Sequence, residues 1–577
     1  MDDLAPQSVR VDLSASLWPA DDYARAKHDQ VATRTTAMAS RGNHGGVAVS
    51  YNAFAARAGL EALKQGGSAA DAALTTALTQ VTLSAGGPIS FFGILSLVYF
   101  EAKTGKVHTM NAEWNTITGE DDPLTIPGGI GMSEADIRGK DPSGRTALVG
   151  GFMKGVEAAH KRFGKLPFAS LFDPSIELAE KGFKVGAKLG KSFGFRPDDL
   201  KRLPETRETL LKADGTPYAE GDVFCQPRLA ETLRAVAETG ADHMYGGPWG
   251  ERLVKAVRAD GGKMTLEDLE RYQVIWDEPL VADLGDGYSI CTNPWPNGGG
   301  VPLIEAQNLA RVAGLDKAEH WSKSADSLRL AVELSHIGLL LAYGSAGVAA
   351  VYPDIDFSPQ SRVTRKYAEV LWAEMKAGKK PFQFTPQEPR HSDDVVAVDA
   401  EGNIAAITHS INCVLWGKTA IVVDGISIAD AASFQQPLIA ATEPGGRLSA
   451  PTETGIVFKD EAPVFGFASM NAGLHQRTFQ CLLNTTAFGM SLEDAVNTPD
   501  FFLPTADPAT GQLKISLPQG RFPRGVVDAL DCAVVESGPE ALFTLGQGDW
   551  VAVGRDPKTG KIEAVSHNRV NSGSAAY

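Results

Sequence analysis

Apolar residues recur at helical spacing over residues 55–64 and stop at Gly66-Gly67. Ser68-Ala69-Ala70-Asp71 then offers an N-cap serine with an acid three residues on, which predicts a second helix to about Thr82. Residues 93–99 and 107–111 change to short apolar runs broken at Lys103-Thr104-Gly105, the pattern of a hairpin. Residues 147–272 read as helical, with caps such as Thr265-Leu266-Glu267-Asp268 and glycine-rich breaks between segments. Asn293-Pro294-Trp295-Pro296-Asn297-Gly298-Gly299-Gly300 is a rigid-then-flexible loop before a helical stretch at 303–309. It lacks the Lys-Ser/Thr pair with which a phosphate-cradling loop grips phosphate and metal. Residues 376–391 have the Lys, Pro, Gln and Arg content of an exposed linker. Directly after it, 395–398 and 404–408 around Ala400-Glu401-Gly402-Asn403 predict one hairpin, 455–458 and 464–467 another, and 482–490 a helix. Residues 1–45 are polar and irregular, an N-terminal arm. Strands flanked by helices on both sides of the linker predict sheets sandwiched between helical layers.

The length of 577 residues asks for two lobes or one large layered domain. Lys and Arg total 54 against 70 Asp and Glu, and the net charge of -16 argues against nucleic acid or an anionic membrane as partner. A small substrate meets only the local field, so the charge leaves that class open. The start, Met1-Asp2-Asp3-Leu4, is acidic with no apolar run after it, and residues 91–100, the longest apolar run, are too short to cross a bilayer. Cys225, Cys291, Cys413, Cys481 and Cys532 are odd in number and widely spaced, so buried free thiols in a reducing cytoplasm are expected.

Candidate chemistry centres on Ser392, at the junction of linker and strand. No G-x-S-x-G elbow or S-x-x-K pair stands ready to activate it. A serine is also activated by its own α-amine once the preceding peptide bond is cut, because an α-amino group titrates near pH 8. That route needs a cleavable linker ahead and a strand behind, and both are present. The plainer alternative is a serine that caps the strand.

Several segments, in order and correctly spaced, resemble the gamma-glutamyltransferase family over nearly the whole chain after residue 45. Ala56 through Ala73 is similar to its first helical pair. Phe172-Asp173-Pro174-Ser175-Ile176-Glu177-Leu178-Ala179 with Gly182-Phe183 resembles its "PAI.LA..GF" element. Gly261-Gly262, Thr265-Leu266-Glu267-Asp268-Leu269 and Tyr272 match "GG..TLEDL..Y", and Gly489-Met490, Glu493, Ala495 and Pro499 its late helix and turn. Around the nucleophile the family reads Thr-Thr-His-x-Ser-Val-x-Asp, and Ser392 to Asp399 sits in that frame, with Gly402-Asn403 as the turn and Ser410-Ile411-Asn412 closing the next strand.

The resemblance implies an α+β fold, a four-layer αββα sandwich of the N-terminal-nucleophile hydrolase type. It implies a precursor that cuts itself at His391-Ser392 into a large subunit (46–391) and a small one (392–577), with dimers of these an open question. Ser392 becomes the nucleophile, Ser410 the hydroxyl supporting it, and Asn412 a substrate-contacting amide, with a plain strand-end turn as the alternative for Asn412. Serine in place of threonine keeps the hydroxyl and loses the methyl that stiffens the rotamer. Asn471 and Ala472 fall at or beside the family's Gly-Gly oxyanion turn, and losing both glycines questions that turn. A loop between strand and helix is the alternative there.

The glutamyl pocket is mostly missing. Glu113 occupies the position of the arginine that pairs with the α-carboxylate, a reversal of charge. Ala431 and Phe434 replace the groups that hold the α-amine. Ser449 retains the first serine of the R-P-L-S-S segment, and Ala450 replaces the second. Trp114, Phe434 and Trp416 suggest a larger aromatic pocket, and Glu113 a partner for a cationic substrate group, unless it is a solvated surface acid. The reading is an amide (acyl) hydrolase or acyltransferase on a non-glutamyl small molecule, needing no cofactor. Its rivals are a carbon–carbon bond hydrolase using the same nucleophile, and an inactive relic that binds or scaffolds. The eleven histidines show no paired metal spacing, so no metal is expected, and only His391-Ser392-Asp393-Asp394 forms a short cluster able to attract a cation.

Overall fold

A computed structural model describes residues 11–32, 34–128, 141–378, 392–471, 473–502, 514–530, 532–538, 548–569 and 571–577. Two seven-stranded sheets stack face to face, and every neighbouring pair in both is antiparallel. One runs in the order Gly573–Ala576, Gly46–Val49, Ser392–Val398, Ile404–Ser410, Ile94–Glu101, Lys106–Ala112, Ile275–Asp277. The other runs Met38–Gly42, Ile562–Ser566, Asp549–Arg555, Ala462–Met470, Glu453–Lys459, Tyr288–Thr292, Leu280–Gly285. Val396, Val398, Ala406, Ile456, Ala468, Val551 and Val553 fill the space between the sheets.

Helices Ala53–Lys64, Ala69–Leu83 and Phe152–Phe163 cover the outer face of the first sheet. Gly300–Val312 and Leu474–Thr486 cover the outer face of the second. This is the four-layer αββα sandwich. Alternation in the strand Ser392–Val398 explains its unbroken apolar run: Val395 and Ala397 pack on the helices, Val396 and Val398 on the other sheet. Both faces are dry, so neither needs polar residues.

Ala69–Leu83 is buried along its full length. Its capping box is formed, with Asp71 N donating to Ser68 Oγ and Ser68 N to Asp71 Oδ2. Thr265 and Asp268 form the second box. The helix expected at 482–490 instead runs Leu474–Thr486. Its polar residues His475, Gln476, Arg477 and Gln480 are buried as deeply as its leucines, so no amphipathic stripe marks where it begins. The irregular arm expected at 1–45 is also corrected. Ala20–Val31 is a helix, and Met38–Gly42 an edge strand paired with Ile562–Ser566. Polar sequence suits both, since one is a surface helix and the other a sheet edge, where Arg41 joins Glu493 and Glu563 at 2.6 Å. Most of the linker expected at 376–391 lies outside the described residues.

Candidate active site

Ser392 opens its strand directly opposite Ser410 in the neighbouring one. Side chains of opposed residues share a face, which brings the hydroxyls together. Ser392 Oγ donates to Ser410 Oγ at 2.8 Å, and Ser410 Oγ accepts the backbone N–H of Asn412 at 2.9 Å. Asn412 turns the chain back with φ 51°, a left-handed conformation that asparagine tolerates better than most residues. Asn412 is thus a strand-end turn residue beside the paired hydroxyls. Ser392 is 6% exposed, so this arrangement is shielded from bulk water.

At the end of the facing sheet, Asn471 adopts φ 69° immediately after the strand Ala462–Met470. Asparagine tolerates this left-handed conformation better than most residues other than glycine. The Asn471 amide donates to the Tyr51 hydroxyl at 3.1 Å and to the Asp549 carboxylate. Ala472, its expected companion, and His391, on the other side of the expected cleavage bond, lie outside the described residues.

Asp393 and Asp394 follow Ser392 on opposite faces of the strand, so they do not converge on one cation as the cluster reading required. Asp394 accepts the Thr408 hydroxyl at 2.6 Å, and burial holds its carboxyl well above the usual range. Asp393 faces the helices, where the Asn52 amide approaches to 3.5 Å. Burial pushes it up to about 7, opposed by the charge of Lys188. Lys188 itself rests on the face of the Tyr51 ring, and burial lowers it to about 7 against the pull of Asp393 and Asp549. Tyr51, Asn52, Lys188 and Asp393 share the wall of one cleft.

The expected substrate contacts are placed differently. Glu113 is fully buried, not a solvated surface acid. Its oxygens accept Ser96 Oγ (2.9 Å), Asn297 Nδ2 (2.7 Å), Asn111 Nδ2 (3.1 Å), Ala450 N (3.2 Å) and Thr452 Oγ1 (3.3 Å). Burial still raises its carboxyl to about 7. With its lone pairs taken by protein donors, Glu113 pins loops together, and the expected pairing with a cationic substrate is not what this geometry provides. Trp114 and Phe434 belong to the main core, and Trp416 stacks on Phe193 at 5.2 Å while its indole N–H donates to Ala85 O at 2.7 Å. The expected aromatic pocket is thereby corrected to core packing: three large apolar side chains found cheaper burial than a polar cleft wall offers. Half-buried Ser449 sits on the glycine loop, its Oγ 2.7 Å from where a Cβ on Gly298 would stand.

Sequence reading missed Tyr51, Lys188 and Asp549. Tyr51 precedes Asn52, whose φ of 66° stands just before a helix, and Asp549 opens the interior strand Asp549–Arg555 opposite Met470. None lies in a chemical motif. What marks them is a cluster of ionisable groups, with Asp549 buried and Tyr51 and Lys188 half-buried.

The family model described as gamma-glutamyltranspeptidase matches residues 55–577. The glutathione hydrolase proenzyme of Pseudomonas aeruginosa is 29% identical over 486 residues, 78% of this chain and 82% of that protein. An acylase proenzyme, ACY 1, of Pseudomonas sp. strain SE83 is 28% identical over 473 residues, 79% of this chain and 82% of its own. Among solved structures, the cephalosporin acylase of Bacillus halodurans superposes with a TM-score of 0.75 at 23% identity, covering 94% of this chain and 97% of that one. The chain belongs to the gamma-glutamyltranspeptidase family of N-terminal-nucleophile enzymes.

Proposed function

We propose that this chain processes itself at His391-Ser392 and then hydrolyses an amide (acyl) bond of a small molecule that is not a glutamyl compound. The observation that carries the reading is the pair of opposed hydroxyls, Ser392 Oγ on Ser410 Oγ at 2.8 Å, at the first residue of a buried strand.

In the intact chain Ser392 N is an amide and accepts no proton. Attack of Ser392 Oγ on the His391 carbonyl, transfer of that acyl group from N to O, and hydrolysis of the ester release a free α-amine. That amine, with an ordinary pKa of about 8, then takes the Ser392 hydroxyl proton as Oγ bonds the substrate carbonyl carbon. The oxyanion draws on the turn at Asn471, the proton passes to the leaving nitrogen, and the C–N bond breaks. Water resolves the acyl-enzyme by the same route in reverse.

The non-glutamyl part rests on Glu113, which replaces the expected arginine and is saturated by protein donors. Relatives named as acylases support it. We extend the proposal to a reducing compartment, on the odd number and wide spacing of the cysteines in the sequence. Denaturing gel and intact-mass analysis tests the reading. Wild type gives two fragments cut before Ser392, and Ser392→Ala stays whole. A panel of small amides, acyl ketones and glutathione then identifies the product. A wild-type chain that stays whole, or one that prefers glutathione, ends the proposal.

A further inference from the structure

Asp549, close enough to act on Asp393 by its charge, is a buried carboxylate that the proposed chemistry does not use. Asp549 is 1% exposed, yet its carboxyl is held below the usual range. Burial opposes the charge, and His567, Arg569, the Tyr51 hydroxyl and Lys188 outweigh it. An ion kept inside a protein needs every lone pair answered. Here Oδ1 meets the Arg569 guanidinium at 3.1 Å, and Oδ2 accepts the Tyr51 hydroxyl at 2.8 Å and the Asn471 side-chain amide.

The remaining contacts of this segment end on the same turn. Met470, just before Asn471, is the register partner of Asp549, and the Ser469 hydroxyl donates to Asp549 O at 2.8 Å. A Cβ on Gly548 would stand 2.2 Å from Gly473 O, so the residue before Asp549 seats against the far end of the turn. Glycine reaches positive φ freely, but it also leaves that conformation freely. Asn471 holds φ 69° with its side chain tied to Asp549 at one end and to Tyr51 as well. The anchor replaces, by hydrogen bonding, what a glycine pair does by lacking side chains.

We propose that Asp549 is a positioning residue: through the Asn471 side chain it fixes the turn at Asn471, at the end of the strand Ala462–Met470, in the sheet that packs on the one carrying Ser392. The inference rests on the oxyanion role proposed for that turn, and acts on its precision. Fixed donors matter because an oxyanion donor out of place loses on the order of 100-fold in turnover.

The test is a cycle of Asp549→Asn, Asn471→Gly and the double variant, read in two ways. Hydrogen exchange on whole Ser392→Ala chains follows the backbone amides of 471 and 474. Asp549→Asn is expected to speed their exchange about tenfold while the strand Ser392–Val398 is unchanged, and in the Asn471→Gly background to add less than twofold. Turnover of whichever amide the wild type cleaves is expected to fall 10- to 100-fold in kcat for Asp549→Asn, with KM within about twofold. Again the effect shrinks in the Asn471→Gly background. Unchanged exchange, or equal losses in both backgrounds, overturns the inference. If the wild type cleaves no amide, the functional reading fails and the exchange cycle still decides this one. Should Asp549→Asn not fold, Tyr51→Phe removes one bond to the same carboxylate. It is expected to speed exchange about threefold, and no change overturns the inference.

Discussion

Replacing Asp393 by asparagine removes a buried carboxyl next to Ser392 while keeping its size. In the folded chain Asp393 is pushed up to about 7, chiefly by burial, whereas an unfolded chain releases the proton near 3.9. The sign follows from linkage. Below about pH 4 both states hold the proton and the group is neutral to stability. Between about pH 4 and 7 only the unfolded state ionises, so folding loses about 1.4 kcal/mol for each pH unit. Above pH 7 the loss is complete and constant. From pH 5 to pH 8 the penalty therefore grows by at most about 2.7 kcal/mol, a figure that already contains the opposing charge of Lys188. The measurement is the urea midpoint of Ser392→Ala and Ser392→Ala/Asp393→Asn at pH 5 and pH 8, which keeps both chains whole. The stability advantage of the asparagine variant is expected to widen by about 1–3 kcal/mol between the two pH values. Any fixed effect of asparagine on packing cancels in that difference. A gap that stays constant, or narrows with pH, refutes the reasoning, because it would mean the carboxyl is already ionised in the fold.

Ser410→Ala leaves the Asn412 N–H without its acceptor and frees the Ser392 hydroxyl, so thermal unfolding should show a loss of about 1–3 kcal/mol. Turnover and self-cutting should slow about tenfold or more, with Ser410→Thr restoring most of both; equal rates in Ser410→Ala would remove that hydroxyl from the mechanism. Trp416→Ala opens a cavity beside Phe193 and should destabilise by about 3–5 kcal/mol without moving KM. A raised KM with unchanged stability would instead return Trp416 to the substrate pocket.

The layers were legible in the chain because their elements have local signatures. Apolar runs such as 395–398 mark strands buried on both faces, and Ser68 with Asp71 marks a helix start. The position of Ser410 opposite Ser392 follows from one hairpin register. The substrate side was not legible. Whether Glu113 looks into a cleft or into the protein depends on Ser96, Asn297 and Thr452, which lie far apart in sequence and converge only in the fold. Trp416 is likewise placed by Phe193 and Ala85, and aromatic residues read the same whether they line a pocket or fill a core. Asp549 carries no motif at all. Its meaning comes from strand pairing beside Met470.

The strand that begins at Ser392 lies between Gly46–Val49 and Ile404–Ser410, so segments from both sides of residue 391 are woven through one sheet. A cut there changes the molecularity of folding. The whole chain folds as a first-order event, but two pieces sharing one core have to find each other, and their reassembly becomes second order in protein. The proposed cut would thus work as a ratchet: it would follow folding, since only the folded strand presents Ser392, and it would make that folding hard to repeat. An enzyme of this design owes its lifetime to the barrier against unfolding rather than to any equilibrium with the unfolded chain.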